Sequence, residues 1–290
     1  MTKIPSKVQS RLTAGIKKFQ PILADAKQRA VNESDTVIII IDMLSEVFGY
    51  DKFTEITSEK EIRGTYCDLA TVIDKKVQTL IEAKSINQQL KDNHVIQAVA
   101  YATNEGIDWV LLTTGAIWKV YKVLFTKPID HQLILEIDFL ALNHHEQADL
   151  EKLFLLTKES WPKSALSDYC EQKEALSKYS IAAAILSDTV LSAIRHELRQ
   201  ISPDVAIDAE QIRTVLQQEV LIADVLNGEK SDEAKKLIAK AASKEHKIKA
   251  DRELAEQNTT LLQKVTVPPQ APVPAPLPIT PPIAPPQPSV

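Results

Sequence analysis

The spacing of apolar residues predicts that the chain opens with an amphipathic helix. Its apolar positions recur three and four residues apart, as on one face of a helix, at Val8, Leu12, Ile16, Phe19 and Leu23. Pro21 falls inside this segment, where a proline is expected to kink a helix. Residues 1–31 carry seven basic side chains and one acidic side chain. The resulting basic face is either solvated or placed against phosphate groups, and the pattern leaves both interpretations open.

Short apolar runs between residues 32 and 145 predict a single α/β unit. We expect a first helix that ends near Val47 and is capped by Asn32 or Ser34. Strands are predicted at 65–73, 77–84, 107–114, 116–124 and 133–139, and a second helix is predicted to begin at Asp92 or Asn93 and end at Gly106. This succession is typical of an α/β fold with a mixed (α+β) sheet.

The second half of the chain has a helical composition. Residues 146–264 predict successive helices without a strand, of which 180–197 is the most apolar, and Asp208 is expected to cap the next. Residues 229–256 mix both charges, as in a long exposed helix or coiled coil. Residues 265–290 form an uncharged, proline-rich tail that we expect to be extended and disordered. The predicted domains are therefore 1–31, 32–145, 146–264 and 265–290.

Composition excludes several classes of protein. The 290 residues are 44% hydrophobic and 25% charged, which is typical of a soluble globular protein. Two cysteines cannot form a disulfide framework, so a reducing cytoplasm is the expected location. No apolar run approaches the roughly 20 residues of a membrane span, and no signal peptide is visible. The net charge of −5 provides no global basic field for nucleic acid.

The acidic hairpin at residues 65–84 is the most informative feature of the sequence. If Asp74, Lys75 and Lys76 form a three-residue loop, Asp68 lies directly opposite Glu82. Side chains alternate along a strand, so Glu82 and Lys84 share one face. Ile81 and Ala83 then point to the opposite, core-facing side. A slip of one residue in the register would place the two carboxylates on opposite faces.

Two opposed carboxylates are chemically significant because they repel each other unless a cation or a proton lies between them. Oxygen ligands of this kind suit Mg²⁺ or Mn²⁺. Lys84, one strand step beyond Glu82, is placed to polarise a water molecule beside such a metal. These groups together favour hydrolysis of a phosphodiester. The alternative is that Glu82 and Lys84 form an ordinary solvated pair on a strand.

A polar stripe lies on the helix that follows the hairpin. His94, Gln97 and Tyr101 are spaced three and four residues apart, so they share one side of that helix. We expect a separate stripe to pack on the sheet, formed by Val95, Val99 and Ala102. Gln97 and Tyr101 would offer an amide and a phenol to a phosphate or a base. Alternatively they are a surface glutamine and a tyrosine at the edge of the core. His94 is expected to be a surface or capping residue.

These motifs resemble a known nuclease superfamily. Asp68, followed by Glu82-Ala83-Lys84 and then by Gln97 and Tyr101, resembles the PD-(D/E)xK nucleases that carry a QxxxY extension. More narrowly, residues 32–139 resemble the N-terminal nuclease domain of type I restriction enzyme R subunits. The segments that carry this resemblance are 32–36, 62–68, 80–84 and 106–113.

The resemblance implies a metal centre. Asp68 and Glu82 would ligate Mg²⁺, with Mn²⁺ as a substitute, and the Ala83 carbonyl would be a further ligand. Glu33, on the first helix of this region, matches an acidic residue that binds the metal through water. Lys84 would be the catalytic lysine.

The resemblance also implies contacts with DNA, and the sequence departs from the family in two places. Gln97 and Tyr101 would contact the DNA backbone and support the site. Cys67 stands where the motif has a proline. The glycine-rich phosphate loop of an ATP-driven motor is missing from the sequence, so no ATP site is expected. A standalone nuclease module is therefore predicted.

The sequence thus leads to two hypotheses about function. The first is an Mg²⁺-dependent DNA endonuclease of the restriction type, acting in defence or DNA processing. The second is a non-catalytic adaptor that uses a nuclease-like scaffold to bind DNA or proteins. The expected partners are DNA, a second copy of the chain and a protein that docks on the proline-rich tail; no membrane partner is expected.

Overall fold

The computed structural model describes residues 3–62 and 65–244. The chain divides into two compact units, Met1–Ser177 and Lys178–Val290. The first unit combines a sheet with five α-helices, in the order α1 (Ser6–Arg29), α2 (Glu33–Glu46), β1 (Ile56–Ile62), β2 (Thr65–Ile73), β3 (Lys76–Ala83), α3 (Asp92–Glu105), β4 (Trp109–Thr113), β5 (Ile117–Leu124), β6 (Asp130–Asp138), α4 (Gln147–Phe154) and α5 (Ala165–Ala175). Short 3₁₀ turns occur at Phe139–Ala141 and Lys158–Lys163.

The six strands form one sheet in sequence order, from β1 to β6. Neighbouring strands are antiparallel except β3 and β4, which run parallel. A parallel pair needs a crossover connection, and α3 supplies it. The predicted mixed α/β class is therefore confirmed. Strand β1 was not predicted; it lies at the edge of the sheet, where it pairs with β2.

Helices cover both faces of the sheet. On one face, α1 and α2 enclose a core to which the strands contribute Leu69, Ile81, Ala83, Trp118 and Val120. On the other face, α3 packs Val95, Ala98 and Ala102 against Leu80, Val110 and Leu112. Ile81 and Ala83 thus face a core, as predicted. Because side chains alternate along a strand, Glu82 lies on the same face as Leu80.

Helix α1 is an integral part of the first unit. Its predicted apolar stripe is buried, at Val8, Leu12, Ile16, Phe19 and Leu23. The helix runs through Pro21 to Arg29. The side chain of Gln20 donates to the carbonyl oxygens of Phe139, Leu140 and Leu142, which ties α1 to the segment after β6.

The first compact unit extends beyond the boundary expected after residue 145. Helix α4 contributes Leu150, Leu153 and Phe154 to the same core as α1 and the sheet. Helix α5 adds Ala165 and Leu166. Because these side chains complete the core, the unit ends at Ser177.

The described part of the second unit is helical. It contains α6 (Lys178–Ile185), α7 (Asp188–Ile201), α8 (Ala209–Val215), a π turn (Leu216–Val220) and α9 (Ala223–Leu226), and residues 229–244 are also helical. The single helix expected over 180–197 is wrong, because the chain turns between α6 and α7 at Leu186 and Ser187. Arg213 fixes this turn by donating to the Leu186 carbonyl at 2.7 Å and to Asp188 at 2.8 Å. Asp208 is the N-cap residue of α8, as predicted.

The predictions for residues 245–264 and for the proline-rich tail at 265–290 lie outside the described residues. Among the helices at 3–62 and 65–244, none combines the length and the apolar character needed to cross a membrane.

Candidate active site

The β2–β3 hairpin fixes the position of the two predicted acids. Leu69 pairs with Ile81 and Thr71 with Thr79. One step further in the same register, Asp68 lies opposite Glu82. The expected three-residue loop is wrong: Asp74 and Lys75 form a two-residue turn, with φ of 51° and 65°. An irregularity after Thr71 shifts the register by one residue and compensates for the shorter turn, so the expected pairing of the strands is retained.

Asp68 binds the backbone where the hairpin ladder ends. Its carboxylate accepts a hydrogen bond from the Ala83 N–H at 2.7 Å. An aspartate at this point therefore satisfies a main-chain donor at the end of β3. This contact holds the Asp68 carboxylate beside the backbone that joins Glu82 to Lys84.

Lys84 is the centre of the cluster. Its ammonium donates to a carboxylate oxygen of Glu82 at 2.7 Å and to the Ala83 carbonyl at 2.8 Å. A carboxylate oxygen of Glu33 lies 3.7 Å from the same nitrogen. The side chains of Lys84 and Glu82 are only 16% and 11% exposed, whereas that of Glu33 is 47% exposed. The predicted catalytic lysine and the predicted acids are thus brought to one place.

Glu33 reaches the cluster from the beginning of α2. Of the two predicted caps, Asn32 rather than Ser34 caps this helix, by accepting a hydrogen bond from the Asp35 N–H at 2.9 Å. A carboxylate in the first turn also interacts favourably with the positive end of the helix dipole. The site consequently lies where the start of α2 meets the carboxyl-terminal end of β3.

Neighbouring segments hold the end of β3 in place. The Lys84 N–H donates to the Thr113 carbonyl at 2.8 Å, which continues the parallel pairing of β3 with β4. The Asn87 side chain donates to the Lys27 carbonyl at 3.0 Å. This bond places the basic last turn of α1 beside the loop that follows Lys84.

The cluster carries more negative than positive charge, since three carboxylates face one ammonium. Burial raises the pKa of Glu82, and the charges of Asp68 and Glu33 add to this, against the opposing effect of the bond with Lys84. For Lys84, burial acts to lower the pKa, but the bond with Glu82 and the nearby carboxylates outweigh it and raise the pKa. A further cation would therefore be stabilised here.

The available donor set suits a hard divalent cation. Asp68, Glu82 and the Ala83 carbonyl offer oxygen atoms, the ligand type that Mg²⁺ and Mn²⁺ prefer. Among residues 3–62 and 65–244, no three acidic, histidine or cysteine side chains converge closely enough to hold one ion by themselves. Two carboxylates, a carbonyl and water would complete such a site, as is usual for Mg²⁺.

Gln97 and Tyr101 form a separate pair on α3. The Gln97 amide donates to the Tyr101 hydroxyl, and the Tyr101 side chain joins the core between α3 and the sheet. Within the described ranges, no hydrogen bond or ion pair links either residue to Asp68, Glu82 or Lys84. Their predicted contact with DNA stays a prediction.

His94 and Cys67 take structural positions. The His94 ring accepts a hydrogen bond from the Lys91 N–H at 3.3 Å, so it caps α3 as expected. Cys67 is fully buried. Burial raises the pKa of its thiol to about 12, and the charges of Glu82 and Asp68 contribute. The thiol is consequently protonated at neutral pH and unreactive.

The basic residues of the hairpin turn do not adjoin the site. Lys75 lies in the turn, and Lys76 begins β3 six residues before Glu82, which corresponds to about 20 Å along the strand. Lys75 and Lys76 therefore do not join Lys84 and Lys91 in one positive surface. Lys91 is the N-cap residue of α3, and the Lys27 carbonyl accepts a hydrogen bond from Asn87 in the loop that follows Lys84.

In comparisons with known proteins, no family model, curated protein or solved structure matches the chain. The resemblance to restriction nucleases therefore stays a prediction.

Proposed function

We propose that the protein is a metal-dependent DNA endonuclease that hydrolyses phosphodiester bonds with Mg²⁺, in defence or DNA processing. One observation supports this proposal more than any other: Asp68, Glu82, Lys84 and Glu33 meet at the end of β3 with excess negative charge. This set provides both the acids that hold a cation and the lysine that a phosphodiesterase uses.

Each residue of the cluster has a distinct role in this proposal. Asp68 and Glu82 hold the cation, with the Ala83 carbonyl as a further ligand and Glu33 acting through water. A bound Mg²⁺ supplies Lewis acidity and lowers the pKa of water. Lys84 positions the attacking water and stabilises the negative charge that develops on the phosphate. Its hydrogen bond with Glu82 sets the position of the ammonium before substrate binds.

The local distribution of charge supports DNA as the substrate. Lys27 and Lys91 flank the loop that follows Lys84. Contacts of these side chains with phosphates would release counterions, so DNA binding should weaken steeply as salt is added. The net charge of −5 mildly opposes tight nonspecific DNA binding, but the local charge around the site decides such contacts.

Plasmid cleavage tests the proposal. Supercoiled plasmid should be nicked or linearised by the wild type with Mg²⁺ or Mn²⁺, and EDTA should abolish the reaction. Lys84→Ala should lower the rate at least about 10²-fold, as expected when an electrostatic contributor to the transition state is lost.

The control for this experiment is Lys75→Ala, which removes a lysine from the exposed turn at the far end of the same hairpin. This variant should cleave like the wild type. Equal rates for Lys84→Ala and the wild type, or the same cleavage in EDTA, would disprove the proposal.

One observation favours the second candidate, a non-catalytic adaptor. The Ala83 N–H and carbonyl and one oxygen of Glu82 already have partners within the cluster. A cluster of this kind can serve as a purely structural device at a strand end. A metal ion that binds only the native state raises the thermal unfolding temperature. If the cluster is purely structural and binds no metal, Mg²⁺ should leave the thermal unfolding temperature of the wild type unchanged.

A further inference from the structure

Lys119 places a second ammonium on the face of the sheet that carries Glu82. Directly paired residues in neighbouring strands share a face of the sheet. Glu82 pairs with Leu112 of β4, and Leu112 pairs with Lys119 of β5. Two strand spacings, or about 10 Å, therefore separate the backbone positions of Glu82 and Lys119.

In the described part of the chain, the ammonium of Lys119 has an ion pair with Glu136 but makes no hydrogen bond. Its side chain is 18% exposed, and the nearest carboxylate oxygen, from Glu136, is 3.7 Å away. That separation is longer than an ordinary hydrogen bond. A largely buried ammonium has three donors to satisfy. The geometry therefore leaves it available for an acceptor that comes from outside the chain.

We propose that Lys119 binds a backbone phosphate of the DNA strand that is cut at Asp68, Glu82 and Lys84. This inference rests on the proposed function. Phosphates follow one another at about 3.4 Å along the axis of one strand, so an offset of about 10 Å is spanned by a few nucleotides. Lys119 then fixes the register of the strand relative to the cleavage centre.

Helix α3 covers the direct line across the sheet from Glu82 to Lys119. Leu112, which lies between Glu82 and Lys119, is buried beneath this helix. Because α3 joins the parallel strands β3 and β4, it begins at the end of the sheet that holds Glu82. We expect the bound strand to pass the start of α3, where Lys91 carries a positive charge and Asp92 a negative one.

Glu136 would compete with the phosphate for the ammonium of Lys119. It pairs with Lys119 across β5 and β6 and supplies the nearest negative charge. A phosphate at Lys119 must overcome repulsion from this carboxylate. Removing the charge of Glu136 is therefore expected to strengthen DNA binding, the opposite of what removing the charge of Lys119 does.

Fluorescence anisotropy with a labelled duplex oligonucleotide tests the inference on the full chain, with EDTA and again with Ca²⁺. Lys119→Gln should weaken binding about tenfold and reduce the slope of log affinity against log salt by about one. Glu136→Gln should tighten binding. Lys122→Gln is the matched control: it removes the same charge from the same strand, but on the face of Trp109, toward the core of α1 and α2. It should bind like the wild type.

Three outcomes would overturn the inference. The first is that the wild type binds DNA and Lys119→Gln binds it equally well. The second is that Lys119→Gln and Lys122→Gln weaken binding equally. In both cases Lys119 has no specific phosphate contact, and the nuclease proposal stands. If the wild type neither binds DNA nor cleaves plasmid with Mg²⁺, both proposals fail together. A rise in affinity with Glu136→Gln, in a variant whose thermal unfolding matches the wild type, supports the inference independently of Lys119→Gln.

Discussion

At the residue scale, one ammonium is shared among more carboxylates than it can neutralise. Lys84 donates to Glu82 and Ala83 and lies near Glu33. A poorly solvated carboxylate that loses its partner destabilises the fold. Lys84 is therefore expected to contribute to stability as well as to the proposed chemistry.

Replacing Lys84 by methionine removes the charge but keeps an unbranched side chain. We expect Lys84→Met to lower the free energy of unfolding at pH 7 by about 2 kcal/mol, the order of a hydrogen bond to a charged group. The pKa of Lys84 is raised in the folded protein, so its stabilising effect is present below the ordinary value of 10.5. The effect is lost as the pH rises through the raised pKa.

Urea unfolding at several pH values measures this difference. The difference in the free energy of unfolding between Lys84→Met and the wild type should disappear at alkaline pH. Lys75→Met, on the exposed turn, should have the same free energy of unfolding as the wild type at pH 7. A difference in the free energy of unfolding that stays constant at every pH would contradict the expectation. It would mean that the variant is destabilised by lost packing and not by lost charge.

The sequence predicts the neighbourhood of these residues better than their contacts. Strand alternation and a three-residue loop placed Asp68 opposite Glu82; the loop is in fact shorter, and the irregularity after Thr71, which the sequence did not predict, restores this pairing. The bond from the Ala83 N–H to Asp68 and the bond from Lys84 to the Ala83 carbonyl could not be predicted. They depend on side-chain rotamers, which are set by surroundings that only the folded chain provides.

At the element scale, the β2–β3 hairpin combines a strained turn with an irregular strand. Asp74 and Lys75 both adopt positive φ, a region that L-residues other than glycine rarely occupy. The irregularity after Thr71 restores the register that brings Asp68 opposite Glu82. The hairpin therefore tolerates backbone strain at one end in order to align the acids at the other.

Lys75→Gly should relieve part of this strain. We expect the variant to raise the free energy of unfolding by about 0.5–1 kcal/mol, because glycine adopts positive φ without a steric penalty, although it gains entropy in the unfolded chain. Lys76→Gly is the matched control, since Lys76 begins β3 and glycine weakens a strand. Chemical denaturation distinguishes the two variants. If Lys75→Gly destabilises the protein as much as Lys76→Gly, the account of the turn is wrong.

Elements with an apolar pattern could be predicted, and those without one could not. Helix α2 is capped by Asn32, one of the two predicted caps, and β2 has the predicted bounds Thr65–Ile73. Strand β1 was missed because its sequence, Ile56–Ile62, is polar through the middle. An edge strand that pairs on one side can be this polar, since it need not bury both of its faces.

At the scale of the whole molecule, all the candidate site residues lie in the unit that ends at Ser177. Composition placed a boundary after residue 145, because α4 and α5 resemble the later helices in their charged and apolar content. Composition alone does not show whether a helix packs its apolar side chains against the core of the sheet. In α4 this core contains Leu150, Leu153 and Phe154, a contact that the sequence pattern did not predict.

The most direct test of the account is whether Asp68 and Glu82 hold a divalent cation. Titration with Mn²⁺, followed by electron paramagnetic resonance, counts the ions bound by the wild type, Asp68→Asn, Glu82→Gln and, as a control at the exposed turn, Asp74→Asn. One site is expected in the wild type and in Asp74→Asn, and that site should be lost in Asp68→Asn and Glu82→Gln. Equal Mn²⁺ binding by all four proteins, or no binding by the wild type, would contradict this expectation.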